Sequence, residues 1–246
     1  MKMNVRIIVN SLLAAALIAA CASANAQAEE RHRSGSFETS GGHDGTFQQD
    51  IKRAPGSRER DTTAQTSKGT WNRKVQDNWN RQAGTANRNV VTTAPNGKSA
   101  TIQENATRNG NMVDVNGSRN GYDGKTSDWN KTITGNGNGT ATVQGQYTRQ
   151  NGNTVDTSST VTRTADGHTT TGSYTTSTGK SGTYSDTVVN KDGARTATQT
   201  ITGANGKSAE RVVDTTRNGN TVDRTITTTG PNGKTETHSD SVTIDK

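Results

Sequence analysis

After Cys21 the chain has no cysteine, and after Leu17 it has no leucine. The first absence removes disulfides and thiolate metal sites from residues 22–246. The second leaves 23 Val, Ile, Met and Phe residues for positions 27–246, too few for a thick apolar core. Such a chain is either largely disordered or held by backbone ladders and threonine packing around a thin apolar seam. Aromatics are scarce, and no basic run extends beyond clusters such as Arg58-Glu59-Arg60. Residues 27–90 carry 11 basic and 8 acidic side chains, and the rest 16 and 14, so both signs are interspersed. That balance suits weak attraction to an anionic surface and makes nucleic acid an improbable partner, since such a site wants a basic stripe interleaved with stacking aromatics.

Catalytic signatures are missing as well. His32, His43, His168 and His238 have no second His or Cys at metal-ligand spacing, and no nucleophile elbow, Walker loop or dinucleotide fingerprint occurs. The expectation is a non-enzymatic protein without cofactor or metal.

What is present is a glycine rhythm. Fifteen glycines from Gly45 to Gly233 follow one another at intervals of 11 to 15 residues, many within Asn-Gly or Asp-Gly pairs such as Asn96-Gly97, Asp192-Gly193 and Asn232-Gly233. Such pairs suit type I′ hairpin turns. Asn96 to Ala100 is echoed at 205–209, and Thr107 to Asp114 at 216–223, so a two-strand unit of about 26 residues repeats. The fold expected is all-β: a long antiparallel meander of about 14 short strands joined by Asn-Gly and Asp-Gly turns over 45–246, preceded by a flexible tail at 27–44. A β-solenoid and a largely disordered chain are the alternatives.

Alternation supports strands. Thr196, Thr198, Thr200 and Thr202 share one face, as do Thr225, Thr227 and Thr229, while Val and Ile fall on the opposite, mixed face. These threonine rows are candidate contacts for polysaccharide or ice. Trp71, Trp79 and Trp129 each open a Trp-Asn-Arg or Trp-Asn-Lys triplet, which fits either an aromatic ligand platform beside a cation or packing across the seam. A wet seam carrying Val155, Val161, Ile201, Val212, Ile226, Val242 and Ile244, with two open sheet edges, predicts self-association.

The first 26 residues have the order of an export signal: Lys2 and Arg6, the apolar stretch Ile7 to Ala20, then Ala24-Asn25-Ala26 before Gln27. Ile18-Ala19-Ala20-Cys21 also resembles a lipobox, which makes Cys21 a candidate lipidation site and a lipoprotein anchor the alternative to a free periplasmic or extracellular protein. The phrases Pro95-Asn96-Gly97-Lys98 and Pro231-Asn232-Gly233-Lys234, with the Thr-rich strands and tryptophan triplets, resemble a loose group of exported Gly/Thr/Asn-rich repeat proteins of bacteria. The resemblance brings no activity and no site residues. The function expected is a structural or adhesive role in the periplasm or at the cell surface, with envelope polysaccharide or an anionic surface as partner.

Overall fold

The computed structural model describes residues 28–245. The segment expected as an export signal, residues 1–26, and the candidate lipidation site Cys21 lie outside those residues. Sixteen strands follow in order: β1 (Glu29–Thr39), β2 (Asp44–Ala54), β3 (Ser57–Thr66), β4 (Gly69–Asn80), β5 (Thr85–Thr93), β6 (Ser99–Asn109), β7 (Met112–Asn120) and β8 (Thr126–Gly137), then β9 (Thr140–Thr148), β10 (Thr154–Arg163), β11 (Gly167–Thr176), β12 (Ser181–Lys191), β13 (Ala194–Gly203), β14 (Ser208–Asn218), β15 (Thr221–Thr229) and β16 (Thr235–Ile244). Every strand pairs antiparallel with its neighbours in sequence, and β16 returns to β1. The all-β meander is therefore the fold, closed into a barrel rather than left open.

The start of the array and its closure differ from the sequence reading. The array begins at Glu29 rather than 45: the segment expected as a tail supplies β1, which pairs with β2 at ten positions. And β1 meets β16 over five pairs, Gly35↔Ile244 to Thr39↔Asp240. The seam is extended by Asp245 N–H donating to the Ser34 carbonyl at 2.9 Å and Ser40 N–H donating to the Ser239 carbonyl at 2.7 Å. Closure removes the two free edges that an open meander would expose.

The turns explain why the chain keeps its rhythm. Seven of the eight hairpins at one rim repeat a single loop, in which glycine alone takes positive φ: Gly42, Gly97, Gly124, Gly152, Gly179, Gly206 and Gly233. In the loop after β5, Gly97 N–H donates to the Ala94 carbonyl and Ala94 N–H to the Lys98 carbonyl, both at 2.9 Å. The Asn96 side chain accepts from Lys98 N–H at 3.1 Å, and Asp123, Asn151, Asn205 and Asn232 repeat that bond. Asn or Asp here sits in ordinary negative-φ space and cross-braces the loop, a type I turn followed by a left-handed glycine. Type I′ geometry, with both residues at positive φ, is confined to Asn138-Gly139 and Asp192-Gly193 at the other rim.

All side chains buried below a tenth exposure lie on one face of the sheet, among them Val75, Asp77, Val115, Tyr174, Asp186, Ile201 and Val213. In a closed barrel that face is the inside. Three apolar clusters run along it, Ala86–Ala106–Val115, Val155–Tyr174–Ile201 and Val188–Ala197–Val213. Each is built from strands on the same stretch of wall. Sixteen tilted strands at about 4.8 Å spacing enclose a round section roughly 30 Å across, too wide for side chains to fill. The core is thus a lining, consistent with so few apolar residues.

Aromatic rings pin that lining. Phe47 lies opposite Gly35, Phe37 opposite Gly45, Trp129 opposite Gly117, Tyr184 opposite Gly172 and Tyr174 opposite Gly182. A Cβ built on Gly117 would stand 2.2 Å from the Trp129 ring, and one on Gly172 2.8 Å from Tyr184. Glycine is needed here so that the ring can lie against the wall.

Candidate functional site

Sorting charges by face changes what the composition means. Pairing registers put all fourteen strand arginines on the inner face, with Lys131, against six acids there: Glu29, Asp77, Glu104, Asp186, Glu236 and Asp240. The outer strand face carries twelve acids against Lys52, Lys74 and Lys191. Eight of the nine aromatics also point inward, and the ninth, Tyr122, stands in the turn after β7, edge-on to Trp71 with ring centroids 6.2 Å apart. The inner wall therefore carries the basic stripe interleaved with aromatics that the linear sequence conceals. Side chains alternate across a strand, so counting every second residue of Trp71-x-Arg73-x-Val75-x-Asp77-x-Trp79 is the signal that finds it.

The densest part spans β3, β4 and β5. Asp77 is 1% exposed. Arg58 donates to its Oδ2 from Nε at 3.0 Å and Nη2 at 2.6 Å, and Arg88 Nε donates to its Oδ1 at 2.6 Å. Burial pushes the Asp77 pKa upward, but the Arg88 and Arg58 hydrogen bonds and charges outweigh it and hold the carboxyl below the usual range. Glu29 meets Arg53 at 3.7 Å and Glu104 stands opposite Arg88, yet the arginines here still outnumber the acids. Arg60 lies two residues beyond Arg58 on the same face, Arg73 sits diagonally across on β4, and Arg53 pairs directly with Arg58. Burial first, then the charges of Arg58 and Arg73, lower the Arg60 pKa. Guanidiniums facing one another at about 5 Å repel by roughly 1 to 3 kcal/mol between wet and half-buried limits. The cleft of about 180 Å³ where β2 turns into β3 lies mainly on the outer side of the wall, lined by Lys52, Glu59, Gln76 and Asn78 as well as Arg53 and Arg58.

The three tryptophans all reach this inner face. Trp71 and Trp79 bracket the arginine patch on β4, and Trp129 lies on Gly117 with Lys131 next on the same face of β8. Burial depresses the Lys131 pKa, partly countered by Glu104. The wall of β9 to β16 is quieter. Arg224 pairs with Asp240 through two hydrogen bonds. His168 Nε2 stands 3.8 Å from Asp186, and with Thr170 Oγ1 and Asp186 Oδ1 it forms a buried niche without hydrogen-bond partners.

The threonine rows occupy the outer face. Thr196 to Thr202 lie on β13 and Thr225 to Thr229 on β15, with Ser208, Glu210, Val212 and Asp214 of β14 between them. The rows are thus separate, and some hydroxyls are committed within the sheet: Thr196 donates to Asp214 at 2.7 Å, and Thr202 bonds Ser208 at 2.7 Å. Val91, Met112, Val189 and Val212 are the only large apolar side chains on the outer strand face among the described residues, far short of the apolar band that faces lipid in a membrane barrel. Among the described residues no group of three or more His, Cys, Asp or Glu gathers as a metal site. Compared with protein-family models, curated proteins and solved structures, the chain matches none of them.

Proposed function

We propose that the chain is an exported, non-enzymatic β-repeat protein with a structural or adhesive role in the periplasm or at the cell surface. The observation that carries this reading is the sorting of side chains by face: a hydroxyl, amide and carboxylate exterior around a wall that concentrates cations and aromatic rings. A surface so divided suits holding a partner rather than transforming one. The test is co-sedimentation of the purified mature protein with washed bacterial envelopes, alongside sequencing of the mature N-terminus after cell fractionation. Retention on envelopes and a start at Gln27, or a lipidated Cys21, are the expected results. A protein recovered unprocessed from the cytoplasm and left in the supernatant would overturn the reading.

A second reading gives the ligand face to the outer hydroxyls, because β11, β12 and β13 place Thr171, Ser185 and Thr200 side by side in neighbouring strands. Thermal hysteresis and neutral-polysaccharide retention test it. Absence of both at high protein concentration removes it.

A further inference from the structure

From the inner wall of β3 to β5 we infer a binding site for an acidic polysaccharide, a chain of sugars bearing carboxylates. This rests on the adhesive reading above and makes it specific. Three observations converge on it.

The first is an excess of positive charge. Arg58, Arg60, Arg73 and Arg88 gather around Asp77, with Glu104 opposite Arg88 on β6 as the other acid beside them. Asp77 is gripped from both sides by Arg58 and Arg88, so those two guanidiniums are oriented. Arg60 and Arg73 make no ion pair among the described residues, and Arg73 is exposed to the lumen. Like charges held together in this way favour an arriving anion over an empty site.

The second is the form of recognition already on the wall. Guanidinium meets carboxylate through paired hydrogen bonds: Arg58 Nε and Nη2 both donate to Asp77 Oδ2, and Arg224 Nε and Nη2 donate to the two oxygens of Asp240. A sugar carboxylate offers Arg60 and Arg73 the same geometry.

The third is the aromatic bracket. Trp71 and Trp79 lie on the same face of β4, eight residues and about 26 Å apart, with the arginines between them. Both are half-buried on the inner face. Flat apolar rings at each end of a cationic stretch fit a ligand that alternates C–H faces with charge along an extended chain. A single-stranded nucleic acid shares the charge and the stacking. The expected export segment favours the sugar.

The experiment titrates the mature protein with polygalacturonate, neutral dextran and oligothymidylate, reading tryptophan fluorescence and calorimetric heat, with envelope co-sedimentation run in parallel. Expected are a tryptophan response to polygalacturonate that salt suppresses, none to dextran, and weaker or no response to oligothymidylate. The double variant Arg60→Gln/Arg73→Gln should weaken polygalacturonate binding about tenfold or more, while Arg195→Gln/Arg217→Gln on the far wall changes it less than about twofold. Circular dichroism confirms that each variant is folded. If either double variant fails to fold, the single changes Arg73→Gln and Arg195→Gln carry the same contrast.

Absence of polygalacturonate binding, with envelope retention intact, overturns this inference and leaves the adhesive reading standing. Loss of envelope retention with polygalacturonate still bound overturns that reading and leaves the site. Tighter binding of oligothymidylate refutes the choice of sugar. Binding undiminished in Arg60→Gln/Arg73→Gln refutes the location.

Discussion

The two halves of the barrel share a backbone and differ in what they face inward. Arg108 Nε donates to the Gly110 carbonyl at 3.0 Å, and eight strands later Arg217 Nε donates to the Gly219 carbonyl at 3.1 Å. The same phrase has folded into the same turn at opposite points of the ring. Yet β1 to β8 carry nine of the fourteen inner arginines and all three tryptophans. From β9 to β16 the aromatics are Tyr147, Tyr174 and Tyr184, and five arginines remain. The repeat thus fixes the frame through turns and outer threonines, while the inward register is free to vary in chemistry. Architecture and binding occupy alternate residues of the same strands.

The largest expected difference between the halves lies in their ion pairs. Asp77→Ala leaves Arg58 and Arg88 facing each other on the inner wall and should cost about 3 to 5 kcal/mol in a urea titration. Asp240→Ala in the other half removes a partner from Arg224, whose side chain is 49% exposed, and should cost about 1 kcal/mol or less. Equal costs would erase the distinction between the two walls.

Acid should reveal the same asymmetry. The Asp77 carboxyl is held below its ordinary value, so its stabilisation is complete above about pH 5 and is lost as the pH falls through the lowered folded-state value. Asp61, raised chiefly by burial, acts with the opposite sign, but its side chain is 44% exposed and its share is small. Asp77→Asn should therefore flatten the stability profile between about pH 5 and 2 relative to wild type. A parallel profile in the variant would show that Asp77 is not the group responsible.

Glycine beneath an aromatic ring is common to both halves, so its replacement should not discriminate between them. A Cβ on Gly172 meets the Ser158 carbonyl at 2.5 Å and Ser159 Cβ at 2.6 Å, and one on Gly117 meets the Trp129 ring. Gly172→Val and Gly117→Val should each lower stability by about 2 to 3 kcal/mol, with loss of near-ultraviolet dichroism from the displaced ring. A neutral result at one site would mean that the ring there is not held against the wall. The smallest effect belongs to the outer face: Thr198→Val should change the thermal midpoint by an amount equivalent to under about 0.5 kcal/mol, because the residue is half-buried on the outer strand face, where either β-branched side chain serves.

Much of the frame was legible in the sequence because it is local. Glycine at positive φ marks the turns, and alternation marks the strands. Closure was not legible, since residues 34–40 meet 239–245 and no neighbouring residue signals a contact across two hundred positions. The N-terminal strand was missed because Glu29-Glu30-Arg31-His32-Arg33 reads as polar tail, whereas on a wet barrel both faces tolerate polar side chains. The turn type was misjudged at most Asn-Gly pairs because asparagine can brace a loop through its side chain without entering left-handed space. The site was hidden by averaging: a nearly balanced chain resolves into a basic inner wall and an acidic outer one once residues are taken two at a time. Trp71, Trp79 and Trp129 were visible as a motif, but their bracketing of Arg58, Arg60 and Arg88 depends on strand register.

Barrel closure is the claim on which the inner wall depends, and one cross-link tests it. Glu38 and Ser241 are outward-facing partners across the β1–β16 seam, in a hydrogen-bonded pair whose Cα atoms lie about 5.5 Å apart. The chain has no cysteine after residue 21, so Glu38→Cys/Ser241→Cys in protein produced from Gln27 onward presents two thiols alone. A short bifunctional thiol reagent should join them rapidly within one molecule, giving a monomer of altered mobility whose peptide map links 38 to 241. Failure to cross-link in folded protein, or linkage only between molecules, would contradict the closed barrel.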